Sequence, residues 1–370
     1  MKTVYGVSIL AGTIIGAGLF SLPYITSVVG IGVMLGYMVF IGLILLLIHY
    51  FFAEICLKTP DYLRLPGFAK YHLGKNAQKI AYFSGITGMM GAILAYLILG
   101  GEFLTALLSS TFGGDTVHYT SIYFVVSAAF IFFGIKAISK IEFWGIVTFF
   151  ILLLLTFFRG FNEISTEKLF FIREGAFDFF LPYGALLFAF CGLALVPEIE
   201  ETLSLGKERK KLLKIIPIGL IISFFISLFF IIIILGIMGE GTTREALVGL
   251  EDYLGNGVTS LLLVFGLLVI FTSLITIGLT VKKILWYDLQ IPEKKAWAIT
   301  CLVPFSLFLF GVKDFITVIG VVGATMIAID AILILFMYEK IKDKRVRIIT
   351  YPLIVLFLLG IIYEVYYFFV

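Results

Sequence analysis

The sequence predicts an all-α polytopic membrane protein, made of two inverted five-helix repeats and an eleventh span. Composition is the first reason, because 61% of the 370 residues are hydrophobic and only 14% are charged. Soluble domains carry about a quarter charged residues. The second reason is that the apolar residues form eleven segments, most of them close to the ~20 residues that cross a bilayer. The third is a pair of interrupted segments at equivalent places in two halves of the chain.

Short polar connections separate the eleven segments. The segments run Tyr5–Val28, Ile31–Ile55, Ile80–Leu108, Tyr119–Ile135, Ile141–Phe158, Phe179–Glu198, Leu212–Met238, Val258–Leu285, Ala296–Gly311, Phe315–Tyr338 and Ile348–Phe369. Connections 159–178 and 239–257 are the two longest on their side of the membrane and have room for short helices. No polar stretch is long enough for a separate soluble domain.

The basic residues predict the orientation of the chain. With the N-terminus in the cytoplasm, 22 of the 27 Lys and Arg residues lie on the cytoplasmic side. The other five are Arg159, Lys168, Arg173, Arg244 and Lys313. Because cytoplasmic loops are enriched in Lys and Arg, we expect a multi-pass protein of the cell (inner or plasma) membrane with a cytoplasmic N-terminus. The lipid bilayer is its expected partner, and no nucleic-acid motif is present.

Two blocks of equal span number organise the chain. The first five spans occupy residues 1–158 and the next five occupy residues 159–338. Five is odd, so the second block must cross the membrane in the opposite sense to the first. This is the pattern of an inverted repeat. Residues 339–370 supply an inner loop and the eleventh span.

The first and sixth spans are poor candidates for unbroken helices. Gly12–Pro23 (GTIIGAGLFSLP) contains three glycines and a proline, and Phe188–Glu198 (FAFCGLALVPE) contains Gly192 and Pro197. Glycine loosens the helix and proline removes a hydrogen-bond donor. Non-helical backbone at membrane depth is tolerated only where it is buried in protein or lines a cavity. Paired interruptions in opposed halves therefore predict a transporter binding site.

Four stretches, in this order, resemble the amino acid–polyamine–organocation superfamily of transporters. Gly12–Pro23 resembles the first-helix motif, closest to the amino acid/auxin permeases and the bacterial aromatic amino acid permeases. Ala95–Gly101 (AYLILGG) is similar to the tyrosine–glycine stretch of the bacterial tryptophan/tyrosine permeases. Phe188–Glu198 resembles the sixth-helix motif of the proton-coupled branch, and Phe271–Thr276 (FTSLIT) resembles the Thr-Ser stretch of the eighth helix.

The resemblance implies a LeuT-type fold with discontinuous helices one and six. It implies a secondary active transporter of amino acids, which works by alternating access around a site between spans one, three, six, eight and ten. The resemblance favours proton coupling and leaves sodium coupling possible. Span six departs from the bacterial aromatic permeases, because it has Ala189, Cys191 and Leu193 where those proteins have hydroxyls and a histidine. The particular amino acid therefore stays open.

The broken spans supply the predicted substrate-binding residues. Helix N-termini attract anions, so the backbone around Gly16 is expected to receive a carboxylate and carbonyls near Cys191 an ammonium group. Phe188 and Phe190 are expected to form a gate or pocket wall. The full set is Thr13, Ile14, Gly16, Ala17, Gly18, Phe188, Phe190, Cys191 and Gly192. The alternative is that the small residues only allow close helix packing.

Two kinds of group could bind a coupling ion. Thr272 and Ser273, with the carbonyl of Ile15, could form a site for sodium, which prefers oxygen ligands; alternatively the hydroxyls bond to their own helix. Intramembrane carboxylates are candidate proton carriers, and the three candidates are Asp330, Glu198 and Glu102. The alternatives are that Glu198 pairs with a loop lysine and that Glu102 lies in a solvated vestibule.

Several function classes find no support in the sequence. No catalytic cluster, phosphate-binding loop or nucleophile motif is present, so an enzyme is not expected. His49, His72 and His118 are scattered, and we expect neither a bound metal nor an organic cofactor. An exchanger, uniporter or exporter on the same fold is the nearest alternative. A channel or a non-transporting receptor is more distant, because no ring-forming repeat or polar face is evident.

Overall fold

The computed structural model describes residues 2–134, 138–173, 175, 177–204, 208–342 and 344–369. This part of the chain is helical and contains no β-strand. Its α-helices are α1 Lys2–Ile14, α2 Ala17–Val29, α3 Ile31–Lys58, α4 Leu65–Leu73, α5 Lys75–Phe112, α6 Thr116–Phe133, α7 Ile138–Gly160, α8 Thr166–Leu169, α9 Leu181–Ala189, α10 Val196–Ser204, α11 Leu212–Met238, α12 Glu251–Leu254, α13 Asn256–Lys283, α14 Glu293–Leu309, α15 Phe315–Val321, α16 Ala328–Ile341 and α17 Arg347–Phe369.

Each of the eleven predicted spans has a helical counterpart. Span one is α1 with α2, span six is α9 with α10, and span ten is α15 with α16 joined by a π-helical segment, Val322–Ile327. Over the described residues, eight helical segments are long and apolar enough to cross a membrane, or nine if the bent pair α1–α2 counts as one span. The shorter α14 and the partly described α7 account for spans nine and five.

The connections hold more helix than the apolar pattern indicates. Short helices α8 and α12 lie in the two long connections, as expected. Helix α4 was not predicted, and span three begins at Lys75 rather than at Ile80. Gly74, with φ +98°, separates α4 from α5. These segments contain Lys, Gln and Ala, which are good helix formers, so the helices extend beyond the apolar stretch.

The half of span one that follows its break is anchored in the core. Twelve of the thirteen residues of α2 are buried. Phe20 is at the centre of an aromatic cluster, with edge-on contacts to Phe103 at 5.2 Å, Phe149 at 5.7 Å and Phe230 at 5.8 Å between ring centroids. These three rings come from α5, α7 and α11. Aromatic pairs in this geometry stabilise beyond their area burial, so α2 is fixed by three other spans.

Span ten packs closely between spans three and six. A β-carbon on Gly91 of α5 would collide with the side chain of Val322, and one on Gly184 of α9 would collide with the carbonyl of Gly320. Gly323 meets the backbone of Gly184 in the same way. Small residues let membrane helices approach closely. Glycines therefore bring the π-helical part of span ten against both neighbours.

Candidate functional site

The break in span one exposes the start of a helix inside the protein. Helix α1 ends at Ile14, α2 begins at Ala17, and the two axes differ by 48°. Gly16 is the extended N-cap, with φ −110° and ψ −151°. The first N–H groups of a helix have no acceptor within that helix, and the helix dipole gives this end a partial positive charge. The start of α2 is therefore suited to an anionic group.

A tyrosine of span three lies beside this break. A β-carbon on Gly16 would be 2.9 Å from the hydroxyl oxygen of Tyr96. Tyr96 is only 4% exposed, so its phenol is directed into the interior. Sequence reasoning did not include Tyr96 among the site residues. The available signal was its place in the Ala95–Gly101 stretch, which the resemblance had already singled out.

The break in span six lies against the first span. Helix α9 ends at Ala189, and α10 begins at Val196 after a 3₁₀ turn. A β-carbon on Gly18 would be 2.6 Å from Cα of Ala189. One on Gly192 would be 2.7 Å from Cδ1 of Leu10. Both glycines thus allow the two interrupted spans to touch, and the two breaks lie side by side.

The predicted substrate-binding residues fall into different surroundings. Ile14, Gly16, Ala17, Gly18 and Gly192 are buried, whereas Thr13, Phe188 and Cys191 are partly accessible. Phe190 is buried and its ring lies roughly parallel to that of Phe224 in α11, with 6.3 Å between centroids. Phe190 therefore packs toward span seven, and Phe188 is the more accessible of the two aromatic side chains.

Asp330 is held by a hydroxyl from span three. Ser84 Oγ donates a hydrogen bond of 2.5 Å to Oδ1 of Asp330. Ser84 is fully buried, and Cys191 of the span-six break lies near Asp330. The sequence identified Asp330 as a candidate, but not Ser84. The hydrogen bond links Asp330 of span ten to span three.

The hydroxyls of span eight are buried. Thr272 and Ser273 are 5% and 6% exposed. Thr272 Oγ1 donates to the carbonyl of Val269 at 3.0 Å. This is the bond to its own helix that the sequence offered as the alternative to a sodium site. Its oxygen keeps lone pairs that could still ligate a cation.

Glu198 does not have the buried environment that motivated its selection. Its side chain is 49% exposed and pairs with Arg64 at 3.9 Å. The predicted alternative was pairing with a loop lysine, and the partner is an arginine instead. The fully buried carboxylate of this helix is Glu200, which pairs with Arg209. An exposed ion pair of the Glu198–Arg64 kind contributes little to stability.

A second carboxyl group approaches Glu102. Glu245 lies in the connection between spans seven and eight. This connection is on the face of the protein opposite the N-terminus, which we call the far side. Burial, together with the negative charge of Glu102, raises the pKa of Glu245 to about 7. Like charges disfavour each other's ionised form. Glu102 therefore faces a partly buried carboxyl group rather than only a solvated vestibule.

Two arginines from loops close over span one on the far side. The ring of Tyr24 in α2 lies 5.3 Å from the guanidinium of Arg173 and 5.6 Å from that of Arg244. Arg244 forms an ion pair of 2.5 Å with Asp314 before span ten. The backbone N–H of Arg173 donates to the carbonyl of Ser27 at 2.7 Å. We call these residues the Tyr24 clamp.

Accessibility differs between the two sides of the breaks. The far-side half of span one is almost completely buried and lies beneath the Tyr24 clamp. On the N-terminal side, Ala194 and Glu198 beyond the span-six break are exposed, and Thr13 before the span-one break is partly accessible. The breaks are therefore covered from the far side and more accessible from the N-terminal side.

The sequence profile of the tryptophan/tyrosine permease family matches residues 1–363. The chain belongs to the tryptophan/tyrosine permease family. This confirms the resemblance drawn from the four motifs. An enzyme was not expected from the sequence, and membership of a permease family agrees with that expectation.

A curated relative of the transporter is "Tyrosine-specific transport system 1" from Haemophilus influenzae. The two are 29% identical over 141 residues, which is 38% of this chain and 35% of the relative. The match therefore spans about a third of the relative's length. It supports membership of the same group of transporters.

Solved structures of transporters share the fold at low identity. Mhp1, a nucleobase–cation symport family transporter, matches with a TM-score of 0.66 and 12% identity over 90% of this chain and 77% of its own. The manganese transporter of Eremococcus coleocola matches with 0.68 and 15% over 100% and 88%. MhsT with bound L-phenylalanine matches with 0.61 and 15% over 96% and 98%. These similarities confirm the predicted LeuT-type architecture, with discontinuous helices one and six.

Proposed function

We propose that the transporter carries an aromatic amino acid, tryptophan or tyrosine, across the cell membrane by alternating access, driven by protons. The observation that carries this proposal is the meeting of the two broken spans, with the N-terminus of α2 and Tyr96 at one place. Family membership and the tyrosine transport system among its relatives support the aromatic substrate. Span six has Cys191 at a position where aromatic permeases are expected to carry polar side chains, so the substrate needs a direct test.

The substrate's charged groups would be bound mainly by backbone. Its carboxylate would accept hydrogen bonds from N–H groups at Ala17 and Gly18, in the positive end of the α2 dipole. The hydroxyl of Tyr96 would donate to the same carboxylate. The ammonium group would lie near the backbone of Phe190–Gly192. Partly accessible Phe188 would contact the aromatic side chain.

Asp330 is the proposed proton carrier. Its carboxyl group lies in a membrane span, accepts a hydrogen bond from Ser84 and has Cys191 of the span-six break nearby. Intramembrane carboxylates commonly mark proton pathways. Sodium binding by Thr272 and Ser273 with the carbonyl of Ile15 is the alternative. We place the N-terminus in the cytoplasm on the distribution of Lys and Arg, and we retain residues 1–158, 159–338 and 339–370 as the proposed division of the chain.

Transport by the purified protein tests this proposal. The protein would be reconstituted in liposomes and uptake of labelled L-tryptophan and L-tyrosine measured under a pH gradient, a sodium gradient or neither. We expect uptake that needs the pH gradient and is competed by aromatic amino acids. Uptake stimulated only by internal substrate would identify an exchanger. Uptake that depends only on the sodium gradient would assign ion coupling to Thr272 and Ser273 of span eight. Absence of flux with all twenty amino acids under either gradient would contradict amino acid transport.

A further inference from the structure

The break in span six releases a backbone N–H group in the membrane interior, and the structure shows where its hydrogen bond goes. Phe190 N–H still bonds to Leu186 O at 3.0 Å, and Cys191 N–H bonds to Phe188 O at 3.3 Å. The next donor, Gly192 N–H, leaves the helix and donates to Nε2 of His49 at 3.0 Å. An unpaired N–H group in hydrocarbon is energetically costly, because no water is available to accept from it. His49 removes that cost at the break.

The second ring nitrogen of His49 defines the tautomer. Its Nδ1 lies 2.7 Å from the carbonyl oxygen of Leu45, one turn earlier in α3. A carbonyl can only accept, so the proton must be on Nδ1, and the lone pair of Nε2 is free to accept from Gly192. A doubly protonated ring would have no acceptor for Gly192. The two hydrogen bonds therefore require neutral His49, and the ring is fully buried.

His49 connects the interrupted span to a continuous one. Helix α3 runs without a break from Ile31 to Lys58. Gly192 is confined on its other side by span one, because a β-carbon there would be 2.7 Å from Leu10 and 3.2 Å from Ile14. The backbone at the break thus lies between α1 and the imidazole of His49. A change in the hydrogen bond would alter the backbone to which the proposed function assigns the substrate's ammonium group.

We propose that His49 is a positioning residue for substrate binding, which acts through the N–H group of Gly192. Its neutral imidazole sets the backbone of Phe190–Gly192 relative to the start of α2, without touching the substrate itself. The proposal rests on the proposed function, because it assigns a role in that same site. The competing explanation is a core histidine that only stabilises the fold.

Paired substitutions at His49 separate the two explanations. In His49→Gln the amide oxygen can accept from Gly192, whereas His49→Leu offers no acceptor. We expect the Gln variant to keep KM for L-tyrosine uptake near the wild-type value. We expect the Leu variant to raise KM about tenfold or more, because it leaves the buried N–H group of Gly192 without an acceptor. His118→Leu, at an exposed histidine, is the matched control. A Leu variant that transports with wild-type KM would overturn the proposal.

Nitrogen-15 NMR of histidine-labelled wild-type protein shows which ring nitrogen of His49 is protonated. This test does not require the Leu variant to fold. The His49 signals are assigned by their loss in His49→Gln, since the chain has three histidines. We expect protonated Nδ1, unprotonated Nε2 and a shift of the Nε2 signal when L-tyrosine or L-tryptophan is added. The opposite tautomer, or an Nε2 signal unaffected by a substrate that is transported, would overturn the proposal. Failure of the proposed function would instead appear as wild-type protein that transports neither amino acid.

Discussion

The hydroxyl oxygen of Tyr96 lies 2.9 Å from where a β-carbon of Gly16 would be, so span three contributes a polar group to the break of span one. The N–H groups released at the two breaks differ in their hydrogen-bond acceptors. Gly192 N–H in span six bonds to His49. In α2, Leu19 N–H bonds to the carbonyl of Gly16 at 3.1 Å, and the N–H groups of Ala17 and Gly18 before it have no acceptor within the helix. A phenol beside such donors provides a further donor for a carboxylate. The first prediction follows from this arrangement.

Tyr96→Phe is expected to weaken substrate binding while the protein stays folded. The change removes one hydroxyl and leaves the ring. Hydrogen bonds to charged groups contribute about 1.5–3 kcal/mol, so KM for L-tyrosine uptake should rise about tenfold or more. Tyr71→Phe, at an exposed tyrosine, is the control. An unchanged KM in Tyr96→Phe would remove Tyr96 from the site.

Gly18→Ala is expected to destabilise the protein. The added methyl group would lie 2.6 Å from Cα of Ala189, a backbone atom that cannot rotate away. Overpacking of this kind costs about 1–3 kcal/mol, and it should lower the thermal unfolding temperature measured in detergent. Gly36→Ala is the control, because a β-carbon at Gly36 of α3 meets no atom within 4 Å. Equal unfolding temperatures for both variants would show that spans one and six accommodate the added methyl group without losing stability.

Asp330→Asn is expected to make uptake independent of the pH gradient. Asparagine keeps an oxygen that can accept from Ser84 but cannot exchange a proton. The measurement is the ratio of L-tyrosine uptake in liposomes with and without the gradient, which should fall to about one in this variant if intramembrane carboxylates carry the proton. Glu198→Gln, at a half-exposed carboxylate, should keep the wild-type ratio. Gradient-driven uptake by Asp330→Asn would exclude Asp330 as the carrier.

Arg244→Ala is expected to loosen the Tyr24 clamp. The variant loses the ion pair with Asp314 and one of two cations over Tyr24. Amide hydrogen exchange in residues 239–254 and at the far-side end of α2 should become faster, because local opening becomes less costly. Arg159→Ala, at an exposed arginine on the same side, should leave these rates unchanged. Identical exchange in the two variants would show that Arg244 does not hold the far side closed.

Glu245→Gln is expected to change how stability depends on pH. Burial, together with the negative charge of Glu102, raises the pKa of Glu245 from 4.5 to about 7. The folded state therefore binds a proton more tightly than the unfolded state, and this contribution to stability is lost as pH rises from about 4.5 to about 7. The variant cannot ionise, so it should unfold at a higher temperature than the wild type above pH 7. Glu167→Gln, in the short helix α8, should follow the wild-type profile, and a matching profile for Glu245→Gln would refute the assignment.

Local composition was enough to predict the spans and the two breaks. Long apolar runs identify membrane helices because the bilayer requires about 20 such residues. The combination of Gly16, Gly18 and Pro23 indicated where α1 could not continue, and the structure interrupts span one between Ile14 and Ala17. Helix α4 was missed for the same reason, because an amphipathic loop helix outside the membrane leaves no apolar run of that length.

The partners of the breaks could not be predicted from local sequence. His49 lies 143 residues from Gly192, and Ser84 lies 246 residues from Asp330. His49 looked like one of three scattered histidines until the fold placed it against Gly192. Glu198 looked like an intramembrane carboxylate, yet the inner half of span six carries it to an accessible position beside Arg64. Hydropathy identifies which segments lie in the membrane. It does not show which side of a helix faces a neighbouring helix.

The sequence by itself predicted a membrane protein with eleven apolar spans, showed that spans one and six cannot be continuous, and resembled amino acid transporters. These properties depend on hydrocarbon thickness and on the backbone preferences of Gly and Pro, which act within about one helix. The tertiary structure decided that Tyr96 meets Gly16, that His49 satisfies Gly192, and that two arginines cover Tyr24. Those contacts join residues from different spans, so they exist only after the helices have packed.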